Sequence, residues 1–283
     1  TTTKPNRRSF KLLFFLLMTQ YLFRHKSTTF LPRKHKEEYI FQKNDNFPLL
    51  YLHFRVSLQE KLYDMKIINL SDQNSIINRY LAEMRDKEYQ KNRLLFRNNI
   101  KRIGEYEAFE ISKTLDYKPE NVTTPLGVAR VNLPTDDIVI GTIFRAGLPF
   151  HEGFLNIFDH SGNAFVSAFR EYTDKNHTEV GIHIEYLATP EIDDKTLIIA
   201  DPMLATGGSM ELGLKAILTK GSPKHIHVAC VLATPEGIEH IKNTFPDDKT
   251  TIWCAAIDEG LNEHKYIVPG FGDAGDLCYG GKL

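Results

Sequence analysis

Cysteine is scarce: three residues in 283, at 230, 254 and 278, with no Cys-x-x-Cys spacing among them. That excludes a disulfide scaffold and a zinc ribbon. The apolar run Leu12 to Met18, inside Phe10 to Phe23, falls short of the ~20 residues a membrane-spanning helix needs. It has the basic flank of a signal peptide, but no small-x-small cleavage site follows it. No internal repeat or low-complexity tract occurs, and His151, His264 and the other histidines show no ligand spacing and read as mostly solvated. Positive charge is also short overall: 35 Lys and Arg against 36 Asp and Glu.

That near-zero sum conceals a split. No acidic residue precedes Glu37, and residues 1–64 carry 12 basic and 5 acidic side chains, a net of +7. They also hold 12 of the 31 aromatic residues. Residues 65–283 are net -8, the wrong sign for a nucleic-acid-binding face. Residues 25–64 show neither helical nor strand periodicity. Three readings of residues 1–64 are open: a targeting or membrane-surface segment, a basic extension without fixed structure, or sequence upstream of the true start. The third is the expectation, because Met65 opens the well-patterned segment Met65-Lys66-Ile67-Ile68-Asn69-Leu70.

From there the chain is patterned. Ser75 is placed to cap a helix bearing Ile76, Ile77, Tyr80, Leu81 and Met84. A second helical run from about Lys91 carries Leu95, Ile100, Ile103, Phe109, Ile111 and Leu115, and Tyr117-Lys118-Pro119 ends it. Nearly continuous apolar runs at 137–144, 195–200, 225–233 and 250–257 read as strands covered on both faces. Two helices lie between them. One carries Met210, Leu214, Ile217 and Leu218 and stops at Gly221; the other opens on Thr234 as N-cap with Pro235 at the first position. This alternation predicts an α/β fold, a parallel sheet with helices on both faces. Residues 163–189 alternate more and predict a small β flap.

Ligands of such sheets bind beyond the carboxyl ends of the strands. There Asp201 ends an apolar strand and Pro202-Met203-Leu204-Ala205-Thr206-Gly207-Gly208-Ser209 leads into a helix. The converging N–H groups of 206–209 would form a phosphate nest. It is not a Walker A loop, since no lysine follows the glycines. Gly270-x-Gly272-x-x-Gly275 matches a dinucleotide fingerprint, but only eight residues follow it, too few for the helix and acid that motif requires. Glycines with Asp273 and Asp276 suit instead a loop pressed against a flat ligand. Arg145, after a buried strand, is a candidate phosphate cation; Arg170 is a weaker one. Cys230 and Cys254 read as core.

Together these segments resemble uracil phosphoribosyltransferases over about residues 65–283. The resemblance rests on Phe144-Arg145-Ala146-Gly147-Leu148, Asp201 to Ser209, Thr234-Pro235-Glu236-Gly237-Ile238, Gly260-Leu261-Asn262-Glu263 and Tyr266 to Asp276, in that order. It implies a phosphoribosyltransferase-type domain at 65–283 that converts uracil and 5-phosphoribosyl 1-diphosphate to UMP and diphosphate, with Mg²⁺ carried by the diphosphate. It further implies that Arg145, Arg170, Asp201 to Ser209 and Asp273 meet the phosphoribosyl diphosphate. Ile267, Gly272, Asp273 and Ala274 match the uracil loop. Family chains begin near the position of Met65, which adds to the upstream reading of residues 1–64. A cytoplasmic dimer or larger assembly is implied, with GTP activation in some members and neither nucleic acid nor membrane as partner. Two positions depart from the family: Phe271 replaces a smaller aliphatic, and Leu277 stands where a basic residue is expected. No side chain stands out as a general base; Asp201 and Asp273 are the candidates. The other reading is a nucleotide-binding regulator on the same scaffold, which would want a basic face that residues 65–283 lack.

Overall fold

The computed structural model describes residues 30–32, 39–41, 65–172 and 180–281, with side chains in the last two ranges except at 168–184. The chain divides into two compact units, Thr1–Leu62 and Tyr63–Leu283. In the first, β1 (Phe30–Pro32) pairs antiparallel with β2 (Tyr39–Phe41). The apolar run at 12–18 lies outside the described residues.

The second unit is built on one sheet. Its strands are β3 (Lys66–Asn69), β6 (Ile138–Ile143), β7 (Gly162–Tyr172), β8 (Val180–Ala188), β9 (Thr196–Ala200), β10 (Met203–Leu204), β11 (His225–Ala233) and β12 (Thr250–Ile257). They run in the order β3-β12-β11-β9-β6-β7-β8, with the two-residue β10 also paired to β11. Every pairing is parallel except β7 with β8. The alternating segment at 163–189 is therefore a hairpin within the sheet, β7 being hydrogen-bonded to β6 along Val139↔Gly162 to Ile143↔Val166.

Strand alternation sends successive residues to opposite faces, and both faces are apolar. Ile138, Ile140, Ile198, Ala200, Ala229 and Trp253 pack under α1 (Ile77–Arg85), α2 (Arg93–Ser112) and α3 (Gly147–Leu155). Val139, Leu197, Ile199, Val228 and Cys254 pack under α4 (Gly208–Leu218) and α5 (Pro235–Thr244). This two-sided burial is why the strands read as continuous apolar runs. Asn92 caps α2 by accepting from the N–H groups of Leu94 and Leu95. Ser75 Oγ accepts from Ile77 N–H at 3.2 Å. Ile76 and Phe109, placed above on apolar faces, are instead exposed. Beyond α2 the chain does not simply end a helix: β4 (Tyr117–Thr124) and β5 (Gly127–Pro134) form a separate antiparallel hairpin. Nearly all of its residues are exposed, so it has no buried face to leave an apolar pattern.

Candidate active site

β6 and β9 are neighbours and β11 lies next to β9, so their carboxyl ends bring Arg145, Asp201 and Thr234 to one edge. Asp201 begins the first loop. Its N–H bonds Ala229 O, and its Oδ1 accepts from Met203 N–H at 3.3 Å. The side chain makes no other hydrogen bond among the described residues, and the residue is only 9% exposed. Burial disfavours its charge and lifts its carboxyl to about 7, against the smaller opposing pull of the Met203 N–H.

The loop is fixed from below. Pro202 O accepts from Val231 and Leu232, and Thr234 N–H donates to Leu204 O. Thr234 Oγ1 both donates to Ala205 O at 2.6 Å and accepts from Gly237 N–H at 3.0 Å, capping α5. At Gly207 the backbone turns left-handed, φ +82°, and a Cβ there would lie 2.8 Å from the His240 ring. Glycine alone fits both demands. The helix α4 starts at the next residue. The N–H groups of Thr206, Gly207 and Ser209 have no acceptor among the described residues, while Gly208 N–H reaches Thr206 Oγ1 at 3.5 Å. Free donors at a helix N-terminus suit an anion, and this is the local geometry the Thr-Gly-Gly-Ser spacing leads one to expect.

The second loop follows β12. The short strands β13 (Gly260–Leu261) and β14 (Ile267–Val268) pair antiparallel. Asn262 Oδ1 closes their turn by accepting from His264 and Tyr266 N–H, both at 3.0 Å. Asp258 then holds the start of the glycine-rich segment. It accepts from Gly270 N–H at 2.8 Å and forms a two-pronged pair with Arg85, at 2.6 and 2.8 Å, and Arg85 also donates to Gly270 O. Asp273 caps α6 (Ala274–Tyr279) through its Oδ1 on Asp276 N–H; its carboxylate makes no other hydrogen bond or ion pair among the described residues. Phe271 is buried edge-on against Phe96, ring centres 5.4 Å apart. Leu277 is partly buried and packs against the same core, so the expected basic contact is replaced by an apolar one.

Of the expected contacts, Arg145 is brought to the glycine-rich segment rather than standing alone. Its guanidinium pairs with Asp276 at 2.8 Å and donates to Gly280 O at 3.2 Å. The side chains of Ile267 and Ala274 are buried in the core, leaving only their backbone groups to face a base. Arg170 sits on β7 opposite Ile182; its side chain lies outside the described residues. Arg85, Asp258 and His240 escaped the sequence reading. Asp258 had a signal, since an acid directly after an apolar strand repeats the pattern of Asp201. The histidines are less solvated than expected: His151 and His227 are both 3% exposed. Burial holds both rings below the ordinary imidazole value, His227 down to about 3. Cys230 and Cys254 are core, as expected, and Cys278 is buried too.

A mostly parallel sheet wrapped on both faces, with an acid and a loop of free N–H groups at one strand end and a glycine-rich loop beside it, defines a phosphoribosyltransferase-type protein. The family model described as uracil phosphoribosyltransferase matches residues 71–281, and the chain belongs to that family. It is 57% identical over 219 residues to the uracil phosphoribosyltransferase of Porphyromonas gingivalis, covering 77% of this chain and all of that one. To the protein of the same name from Thermococcus gammatolerans it is 39% identical over 206 residues, 72% of this chain and 88% of the relative. Among solved structures, the AQ2163 protein from Aquifex aeolicus superposes with a TM-score of 0.65 at 31% identity, over 76% of this chain and 98% of that one.

Proposed function

We propose that the protein transfers the phosphoribosyl group of 5-phosphoribosyl 1-diphosphate to uracil, yielding UMP and diphosphate in pyrimidine salvage. The observation that carries this reading is the pairing of two loops at one sheet edge. One presents free N–H groups and a buried acid; the other is a glycine-rich segment held by Asp258 and Arg85. The N–H groups of 206–209 bind the 5′-phosphate, and Asp201 accepts from the ribose hydroxyls. A base nitrogen of uracil bonds to the anomeric carbon as the carbon–oxygen bond to diphosphate breaks, and the nitrogen loses its proton. Positive charge grows on the ribose in between, so carboxylates near the sugar and cations on the diphosphate favour that state over the ground state. Arg145 and Arg170 are assigned to the diphosphate, with Asp276 aiming the Arg145 guanidinium. Backbone groups of Ile267 and 272–274 read the alternating carbonyls and N–H groups of uracil. Cytosine would set a donor against a donor there, a mismatch polar sites reject strongly.

The described residues hold no cluster of three metal-ligating side chains. They fit an ion that arrives on the substrate: Mg²⁺ takes phosphate oxygens and one or two carboxylates and keeps its waters. Asp201 and Asp273, each with one carboxylate oxygen that makes no hydrogen bond among the described residues, would hold it, and it would supply charge neutralisation of the leaving diphosphate. The resemblance also supports a homo-oligomer, a GTP effector and a cytoplasmic setting. No helix among the described residues is long and apolar enough to cross a membrane. Incubating the full chain with uracil, 5-phosphoribosyl 1-diphosphate and Mg²⁺ tests the reading. UMP forms with uracil and not with cytosine; equal use of both bases sinks the assignment of the glycine-rich loop.

A further inference from the structure

A cavity of about 380 Å³ lies at the opposite end of the sheet from the loops above. Its walls are the starts of β3, β9, β11 and β12 and the residues just past α2. Thr196 lines it, and Asp201 lies five residues further along the same chain direction, roughly 16 Å away at the strand rise of ~3.3 Å per residue. It is therefore separate from the transfer site.

Its polar groups divide into spent and unspent. Asp136 accepts from Thr196 Oγ1 at 2.7 Å and pairs with Lys224 at 2.5 Å, and Lys224 also reaches Asp116 at 3.2 Å. These acids and this lysine satisfy one another. His227 Nδ1 accepts from the Trp253 indole N–H at 3.0 Å. The ring proton of the neutral imidazole must then sit on Nε2, which makes Nε2 a donor. Nε2 has no partner among the described residues, although His227 is 97% buried and lines the cavity. Lys66, exposed at the rim, likewise has no ion pair among the described residues. His225 Nε2 pairs with Thr251 Oγ1 at 3.0 Å. The unspent capacity thus includes two donors, one of them charged, beside Leu115 and the rings of His225, His227 and Trp253, which are tilted 56° and 58° from one to the next.

We propose that this cavity is a second binding site, one that takes a small planar anion: an aromatic or heteroaromatic ring lying along the imidazole–indole wall, with a carboxylate accepting from His227 Nε2–H and facing Lys66. The three aromatic side chains in the wall favour a ring, and the two unspent donors favour the anion. The rings also supply the readout. Trp253 is the sole tryptophan of the chain, so its emission reports occupancy of this cavity directly.

The test is a titration of the full chain with benzoate, following Trp253 emission, with benzamide and cyclohexanecarboxylate as controls. Benzoate is expected to give a saturable change with a Kd near or below about 1 mM, a scale a ligand of this size can reach. Both controls bind at least about ten-fold more weakly, one lacking the charge and the other the flat ring. Lys66→Ala, at an exposed position, weakens benzoate several-fold, and His227→Phe weakens it by about ten-fold or more, as loss of a hydrogen bond to a charged group does. No saturable change, benzamide binding as tightly as benzoate, or an unchanged Kd in Lys66→Ala overturns the proposal. Lys66→Ala keeps the test decisive if His227→Phe fails to fold.

Discussion

Replacing Asp201 with Asn is expected to make the protein more stable and nearly inactive, with the stability gain set by pH. The native carboxyl is buried and titrates at about 7, against 3.8 for the free side chain. Below about pH 4 the acid is protonated whether the chain is folded or not, and the two states do not differ. As pH rises toward 7 the unfolded chain releases this proton while the folded chain retains it, so stability falls. Above 7 the loss is complete. Three units at 1.36 kcal/mol each give a ceiling of about 4 kcal/mol, and any water reaching the carboxyl lowers it, the residue as a whole being 9% exposed. Asn keeps an oxygen for Met203 N–H and does not ionise. Thermal unfolding of both proteins without substrate, at pH 5 and pH 8, measures the effect. The Asn variant gains more at pH 8 than at pH 5, by several degrees at the ~2–4 °C per kcal/mol usual for a domain of this size. A difference in Tm that does not change with pH refutes the argument, because it means the carboxylate is not desolvated. UMP formation by the variant falls at least a hundred-fold if the carboxylate meets the ribose as proposed.

Three other variants follow from the same contacts. Gly272→Val meets open space, with only Leu277 Cδ1 at 4.0 Å, but must adopt φ +95°; it folds with a modest loss of about 1–2 kcal/mol and loses most activity, so near-normal turnover counts against the uracil loop. Arg85→Ala leaves Asp258 buried without its cation and costs about 3 kcal/mol in urea unfolding, the low end for a broken buried pair because Arg85 is 25% exposed. Its KM for uracil rises more than its KM for phosphoribosyl diphosphate; equal rises place the pair outside the base loop. His240→Ala removes the ring beneath Gly207 and its 2.8 Å contact with Glu211, and is expected to raise the KM for phosphoribosyl diphosphate several-fold with little change for uracil.

The elements legible in the sequence were those whose signals are local. β11 and β12 match their apolar runs at 225–233 and 250–257 because both faces of each strand are covered. Thr234-Pro235 marks the start of α5 because a capping oxygen and a proline each act within one turn. The turn from β9 into α4 was legible for the same reason, its glycines and free N–H groups lying within nine consecutive residues. What escaped was non-local or lacked a buried face. The β4–β5 hairpin is exposed on both sides, so no alternation marked it. The Arg85–Asp258 pair joins residues 173 positions apart, and the Arg145–Asp276 pair 131 apart. The burial of His227 escaped a reading that took most histidines as solvated, because only the fold supplies the Trp253 N–H that makes this burial tolerable.

UMP is proposed to form at the carboxyl edge of the sheet, between the two loops. A crystal structure of the full chain with UMP decides this. The phosphate is expected within hydrogen-bonding distance of the N–H groups of 206–209, a ribose hydroxyl on Asp201, and the base along the backbone of 272–274. UMP bound elsewhere, or with its phosphate away from the 206–209 loop, contradicts the proposal.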